Sequence, residues 1–195
     1  MPALGELYDP VVTADNAQVI QSRQSKKKFR VVPKAGSKTC RLNVKTRLGG
    51  QLVDLGDLTY KVVPPPRPAI RVYVGNEPYN GTSPVPRSAT VRVRVEPDKD
   101  FAASLPEDAR YVISKPEVKV VKGLAGAQSI GSLPDSKVAT SPVISVDLTD
   151  YGRGLQPGNV VYIQFGDVYR VNFQNKQVKE SFAVSELVFP ITIGK

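Results

Sequence analysis

Apolar and polar residues alternate one by one along much of this chain. In Cys40-Arg41-Leu42-Asn43-Val44-Lys45 the apolar members share one parity and the polar members the other. The same period recurs where Val91, Val93 and Val95 alternate with Arg92, Arg94 and Glu96, and where Leu187, Phe189, Ile191 and Ile193 share one parity. Successive strand side chains point to opposite faces, so the pattern predicts half-buried β-strands. It places strands over 11–13, 18–20, 28–32, 39–46, 51–55 and 58–63. Further along they fall at 70–74, 90–96, 109–114, 118–122, 142–147, 160–165, 168–173, 182–185 and 187–193. Turn signals separate them, among them Asp15-Asn16, Leu48-Gly49-Gly50-Gln51, Gly75-Asn76-Glu77-Pro78, Pro157-Gly158-Asn159 and Asn175-Lys176. Segments 100–105 and 148–155 are expected to hold one helical turn each. Segments 79–87 and 123–134 read as small-residue loops. Short strands with frequent turns define an all-β fold of antiparallel sandwiches.

Four prolines within five residues interrupt the alternation: Pro64, Pro65, Pro66 and Pro68. Each fixes φ near about −65° and lacks an N–H, and the residue before each is pushed to extended backbone. The stretch favours polyproline II, a semi-rigid spacer of ~3.1 Å per residue. It reads as an elbow between two β-sandwich domains of immunoglobulin-like type, 1–65 and 66–195. A proline-capped edge strand inside one domain is the other reading. Strand patterns restart on both sides with different charge character, which favours the elbow. The first domain is short against the ~100 residues of an immunoglobulin unit, so an N-terminal strand or two is expected to lie upstream.

Charge sharpens that division. Arg23, Lys26, Lys27, Lys28, Arg30, Lys34, Lys38, Arg41, Lys45 and Arg47 fall in one span, and no Asp or Glu occurs from Asn16 to Val53. The other seventeen cations face eighteen acids, so the net +9 is local. Arg41 and Lys45 take the outward parity, which predicts a basic sheet face. Lys26, Lys27, Lys28, Arg41, Lys45 and Arg47 are then candidates for docking an acidic partner, with an ordinary solvated face as the alternative. Phe29 is the one aromatic among these cations, too little for a stacking platform, so nucleic acid is not an expected partner.

The residue inventory narrows the chemistry. Histidine is absent, which removes the commonest general base and metal ligand. No glycine-rich phosphate loop occurs, and no cofactor is expected. Cys40 is the one cysteine; its inward parity makes it a small core residue rather than a reactive thiol. An enzyme is not expected. No apolar run reaches the length of a membrane-spanning helix, and the first ten residues lack the features of a signal peptide.

Several stretches resemble the C-terminal periplasmic domains of the gliding-motility protein GldM and its secretion homologue PorM. Val31-Val32-Pro33-Lys34-Ala35-Gly36-Ser37-Lys38 before a strand, then Leu55-Gly56-Asp57-Leu58-Thr59-Tyr60-Lys61-Val62 and the prolines, resemble the family's third domain and its exit into the fourth. Phe101-Ala102-Ala103-Ser104-Leu105, Gly158-Asn159-Val160-Val161-Tyr162-Ile163 and Leu187-Val188-Phe189-Pro190-Ile191-Thr192-Ile193 resemble elements of the fourth. The pattern departs from the family at 106–110, lacks an Asp-Gly turn near the end, and lengthens 166–181. The resemblance implies a periplasmic, non-catalytic component of the type IX secretion and gliding machinery of Bacteroidota, anchored by an upstream helix. It also implies a homodimer whose partners are an inner-membrane motor subunit and an outer-membrane-associated ring lipoprotein. The competing class is an immunoglobulin-like adhesin or carbohydrate-binding module, which needs exposed aromatics. This chain has no Trp, and its tyrosines are scattered.

Overall fold

The computed structural model describes residues 9–121, 127–132 and 141–195. The fold is all-β with antiparallel sheets, and the chain forms two compact units, Met1–Pro64 and Pro65–Lys195.

In the first unit, β1 (Val11–Asp15), β4 (Thr39–Leu48) and β5 (Gln51–Lys61) make a three-stranded sheet in the order β1-β4-β5. A separate hairpin pairs β2 (Ala17–Gln21) with β3 (Phe29–Pro33). The Gly49-Gly50 turn joins β4 to β5 with φ of +58° and +84°, the left-handed pair that a two-residue hairpin requires. The alternation in β4 holds: Cys40, Val44 and Thr46 are buried, whereas Arg41 and Arg47 are exposed. The separate strands expected at 51–55 and 58–63 are one strand. Val44 pairs with Gly56 and Lys45 with Asp54, so Leu55 is the extra residue of a bulge. Gly56, at φ +105°, supplies backbone freedom that a side chain there would strain.

Residues 62–68 carry no regular secondary structure. Pro64, Pro65 and Pro66 are exposed, and Pro68 is buried in the second unit.

The second unit contains β6 (Ala69–Val74), β7 (Glu77–Pro78), β8 (Thr90–Glu96), α1 (Lys99–Ser104), β9 (Arg110–Ser114), β10 (Glu117–Val121), β11 (Ala127–Ser132), β12 (Val143–Asp147), β13 (Val160–Gln164), β14 (Asp167–Val171), β15 (Gln177–Lys179) and β16 (Val188–Thr192). Three sheets result, with strand orders β12-β8-β6-β7, β11-β10-β13-β16 and β15-β14-β9. Their inward parities meet in one core. Val91, Val93, Ile144 and Val146 from the first sheet join Val118, Val120, Val161, Ile163 and Ile191 from the second, with Ile113 and Val168 from the third. Burying a side chain of this size stabilises by ~1.5–3 kcal/mol, so this cluster dominates the unit's stability.

The expected helical turns form. Asp98 caps α1 by accepting the Phe101 N–H at 2.9 Å. Asp147 accepts the Thr149 N–H at the head of a 3-10 helix, Leu148–Gly154. Two readings need correction. Within the expected loop 123–134, residues Ala127–Ser132 form a strand paired to β10; the remainder of that loop lies outside the described residues. The strand expected at 182–185 is replaced by a 3-10 helix, Val184–Leu187, because the Glu186 carboxylate turns back to accept the Ala183 N–H at 2.8 Å.

Candidate interaction surfaces

The six cations singled out in the sequence occupy different surroundings. On the outward parity of β4, register sets Arg41 opposite Thr59, Asn43 opposite Asp57, and Lys45 opposite Asp54. Arg41 pairs with Asp57, Lys45 lies 3.8 Å from Asp54, and Arg47 lies 3.4 Å from Asp9. Asn43 ties the row together, donating from Nδ2 to both carboxylates of Asp54 and Asp57 at 3.1 Å. The Gly56 N–H donates to Asp54 at 2.8 Å.

These bonds act on protonation. The Gly56 N–H, then Asn43, hold the Asp54 carboxyl below its ordinary range. Arg41 and then Asn43 do the same for Asp57, and Asp57 in turn raises Arg41. This outward face is therefore a ladder of alternating charge rather than a purely basic surface. Such exposed pairs are individually weak.

Lys27 and Lys28 stand elsewhere. With Val12, Phe29, Val31, Leu42, Val44, Leu58 and Tyr60 they line a groove of about 380 Å³ between the sheet and the β2–β3 hairpin. No carboxylate is among the described residues that line it. Lys26 sits on the adjoining connection, where its carbonyl accepts a hydrogen bond from Gln21 Nε2 at 2.8 Å.

The groove abuts an open edge. β5 ends the sheet order, and among the described residues no strand pairs its far side. The Val62 N–H donates to Lys38 O at 2.9 Å. In an antiparallel pair, residues alternate between facing the partner strand and facing away. Leu58 and Tyr60 therefore turn their backbone groups toward β4, and Asp57, Thr59 and Lys61 turn theirs to the open side. Tyr60 is 50% exposed and Val53 37%, both on the groove parity.

The second unit carries a surface that reading along the chain missed. Arg71 lies opposite Arg94, and Tyr73 opposite Arg92, on one face of the β6–β8 pair. Arg94 stands 5.4 Å over the Tyr73 ring, while the Tyr73 hydroxyl donates to Glu96 at 2.6 Å. Glu96 also pairs with Arg71 at 3.1 Å. Charge scattered over Arg71, Arg92 and Arg94 gives no local run; period-two parity was the available signal.

At the start of the same unit, Arg67 stacks on the Phe182 ring at 4.0 Å and pairs with Glu186 at 2.6 Å. Glu186, bonded first by Arg67 and then by the Ala183 N–H, has its carboxyl lowered. Buried Tyr111 and Tyr79 hydroxyls have no hydrogen-bond partner among the described residues; desolvation pushes Tyr111 up to about 12. Among the described residues no His/Cys/Asp/Glu group is placed to hold a metal ion, and no helix is long and apolar enough to cross a membrane.

An all-β chain with charged sheet faces and a clamped proline segment has the features of an interaction and assembly protein. A family model described as the GldM C-terminal domain matches residues 66–193, and the chain belongs to that family, whose members are gliding-motility and type IX secretion components. A comparison with curated proteins finds no match.

Proposed function

We propose that this chain is a non-catalytic, periplasmic segment of a stiff shaft in the gliding and type IX secretion machinery. It links an inner-membrane motor subunit to an outer-membrane-associated ring lipoprotein, and it works as a homodimer. The family match over 66–193 carries this reading. Two domains, 1–65 and 66–195, are joined by an elbow of Pro64, Pro65, Pro66 and Pro68, where proline fixes direction and a flexible linker would dissipate force. The clamp of Arg67 on Phe182 and Glu186 supports it by fastening the segment's second half to the unit it enters. Docking of acidic partners involves the cations of the first unit. Lys26, Lys27, Lys28, Arg41, Lys45 and Arg47 are the residues involved, and carboxylate neighbours already answer part of the charge of Arg41, Lys45 and Arg47.

The test is capture of the ring lipoprotein by the purified chain at low and high salt. Retention that weakens with salt is expected. Failure to retain it, together with selective binding on a glycan array, would replace the shaft by a carbohydrate-binding module.

A further inference from the structure

We infer that the proline joint turns at a single place, the ψ torsion of Pro66, between an extended and a helical setting, and that the clamped Arg67 is the fixed seat against which it turns. The inference deepens the stiff-shaft reading proposed above and rests on it.

The sequence locates the pivot. Rings fix φ at residues 64, 65, 66 and 68. A following proline holds Val63, Pro64, Pro65 and Arg67 to extended backbone and closes the helical region to them. Pro66 is followed by Arg67, so from 63 to 67 it is the one residue with no proline after it. Its ψ alone therefore keeps both the extended and the helical well. A change of ψ at one residue redirects the whole chain on one side of it, whereas the proline rod beside it stays straight.

The structure fastens both sides of that point. On the first unit's side, the Val62 N–H donates to Lys38 O at 2.9 Å. Only Val63, Pro64 and Pro65 lie between this anchor and the pivot, and all three are exposed. On the second unit's side, Pro68 is buried and β6 begins at Ala69. Arg67 closes the gap between pivot and fold. Its guanidinium lies 4.0 Å from the centroid of the Phe182 ring, and Nη2 donates to Glu186 Oε2 at 2.6 Å. That oxygen is itself held, because it also accepts the Ala183 N–H at 2.8 Å. A ring against its face and a carboxylate at its edge orient the guanidinium as well as place it. The play of the joint is thus confined to one torsion. A shaft so built bends between two settings and resists every other direction.

Pulsed electron paramagnetic resonance on the flash-frozen full chain reads this directly. Nitroxides on Gln51→Cys and Lys176→Cys report the distances between the units, in a Cys40→Ala background. Dilution with unlabelled chain leaves one labelled copy per assembly. The parent should give two resolved distance populations. Arg67→Pro completes the proline run and closes the helical well of Pro66; one population should be lost. Arg67→Ala removes the same clamp without adding a ring, so both populations should remain and each should broaden. Phe182→Leu, which keeps an apolar side chain against the core but removes the ring face, should repeat the Arg67→Ala result. Opposite outcomes from two substitutions that lose the same contacts separate a pivot from a merely stabilising side chain. Unfolding midpoints confirm that each variant is folded.

A single narrow population in the parent overturns the pivot and leaves the stiff shaft standing, with the prolines alone sufficient. Two populations that survive Arg67→Pro unchanged also overturn it, because the second setting then arises at another bond of the run. A broad, featureless distribution in the parent and in Arg67→Pro alike removes the stiff shaft itself, and the pivot with it.

Discussion

The two units of this chain solve the same problem to different degrees. In the second, three sheets turn their inward parities onto one cluster, and side chains such as Ile113, Val118, Ile163 and Ile191 are fully buried. In the first, Cys40 and Val44 are the buried apolar members among the described residues of β1 to β5, with Thr46 beside them. Leu48, Leu52 and Tyr60 stay at least half exposed there. The same period-two pattern is present in both, so alternation alone does not close a core. Closure needs a second layer on every inward parity, and among the described residues one hairpin over a three-stranded sheet does not supply it.

The comparison breaks most readily at the cores. Ile163→Ala should lower the stability of the second unit by ~2–5 kcal/mol, whereas Val44→Ala in the thin first core should cost ~1–2 kcal/mol. Calorimetry should show each substitution moving a different transition. A single transition moved by both would make the units one cooperative body.

Opposite pH limits come next. Asp54 and Asp57 have lowered folded values, so their contribution is present above the ordinary carboxylate range and is lost as pH falls through the lowered values. Tyr111 is raised from 10.0 to about 12, so its contribution is full below 10 and disappears as pH climbs toward 12. Asp147, Asp167 and Glu186 of the second unit are lowered as well, so acid acts on both units, whereas alkali should loosen the second first. Strand-resolved nuclear magnetic resonance during titration checks this, and the reverse order in alkali would contradict it.

A smaller effect is expected at the clamp. Arg67→Ala removes one ring contact and one exposed ion pair and should cost the second unit about 1 kcal/mol, leaving the first unchanged. The smallest belongs to the charge ladder. Lys45→Gln should shift stability by no more than ~0.5 kcal/mol, because its pairing with Asp54 is long and exposed. Denaturant midpoints measure both.

These contrasts also explain what was legible in the sequence. The strands and their inward faces follow from parity, as in β4 and β8. Turn chemistry marked the Gly49-Gly50 hairpin, and helical turns form within the expected segments 100–105 and 148–155. The carboxylate partners of Arg41 and Lys45 were hidden because they sit on another strand, and the bulge at Leu55 decides which acid meets which cation. The Ala127–Ser132 strand was hidden because small residues carry no alternation; pairing with β10 holds it. The helix Val184–Leu187 was missed because Ala183, not a usual capping residue, precedes it; Glu186 turns back to the Ala183 N–H and is held there by Arg67, 119 residues away. Local patterns reveal elements; register and distant caps become visible only in the assembled fold.

Amide hydrogen exchange on the full chain, resolved by residue, tests the contrast between a closed and an open unit most directly. Amides of β8, β10 and β13 should exchange only through the largest opening of their unit. In β5, Leu58, Tyr60 and Val62 should show intermediate protection, and Asp57, Thr59 and Lys61 almost none. Protection at Asp57, Thr59 and Lys61 equal to that of their neighbours, in the chain alone, would mean that the edge is already covered and would contradict the account.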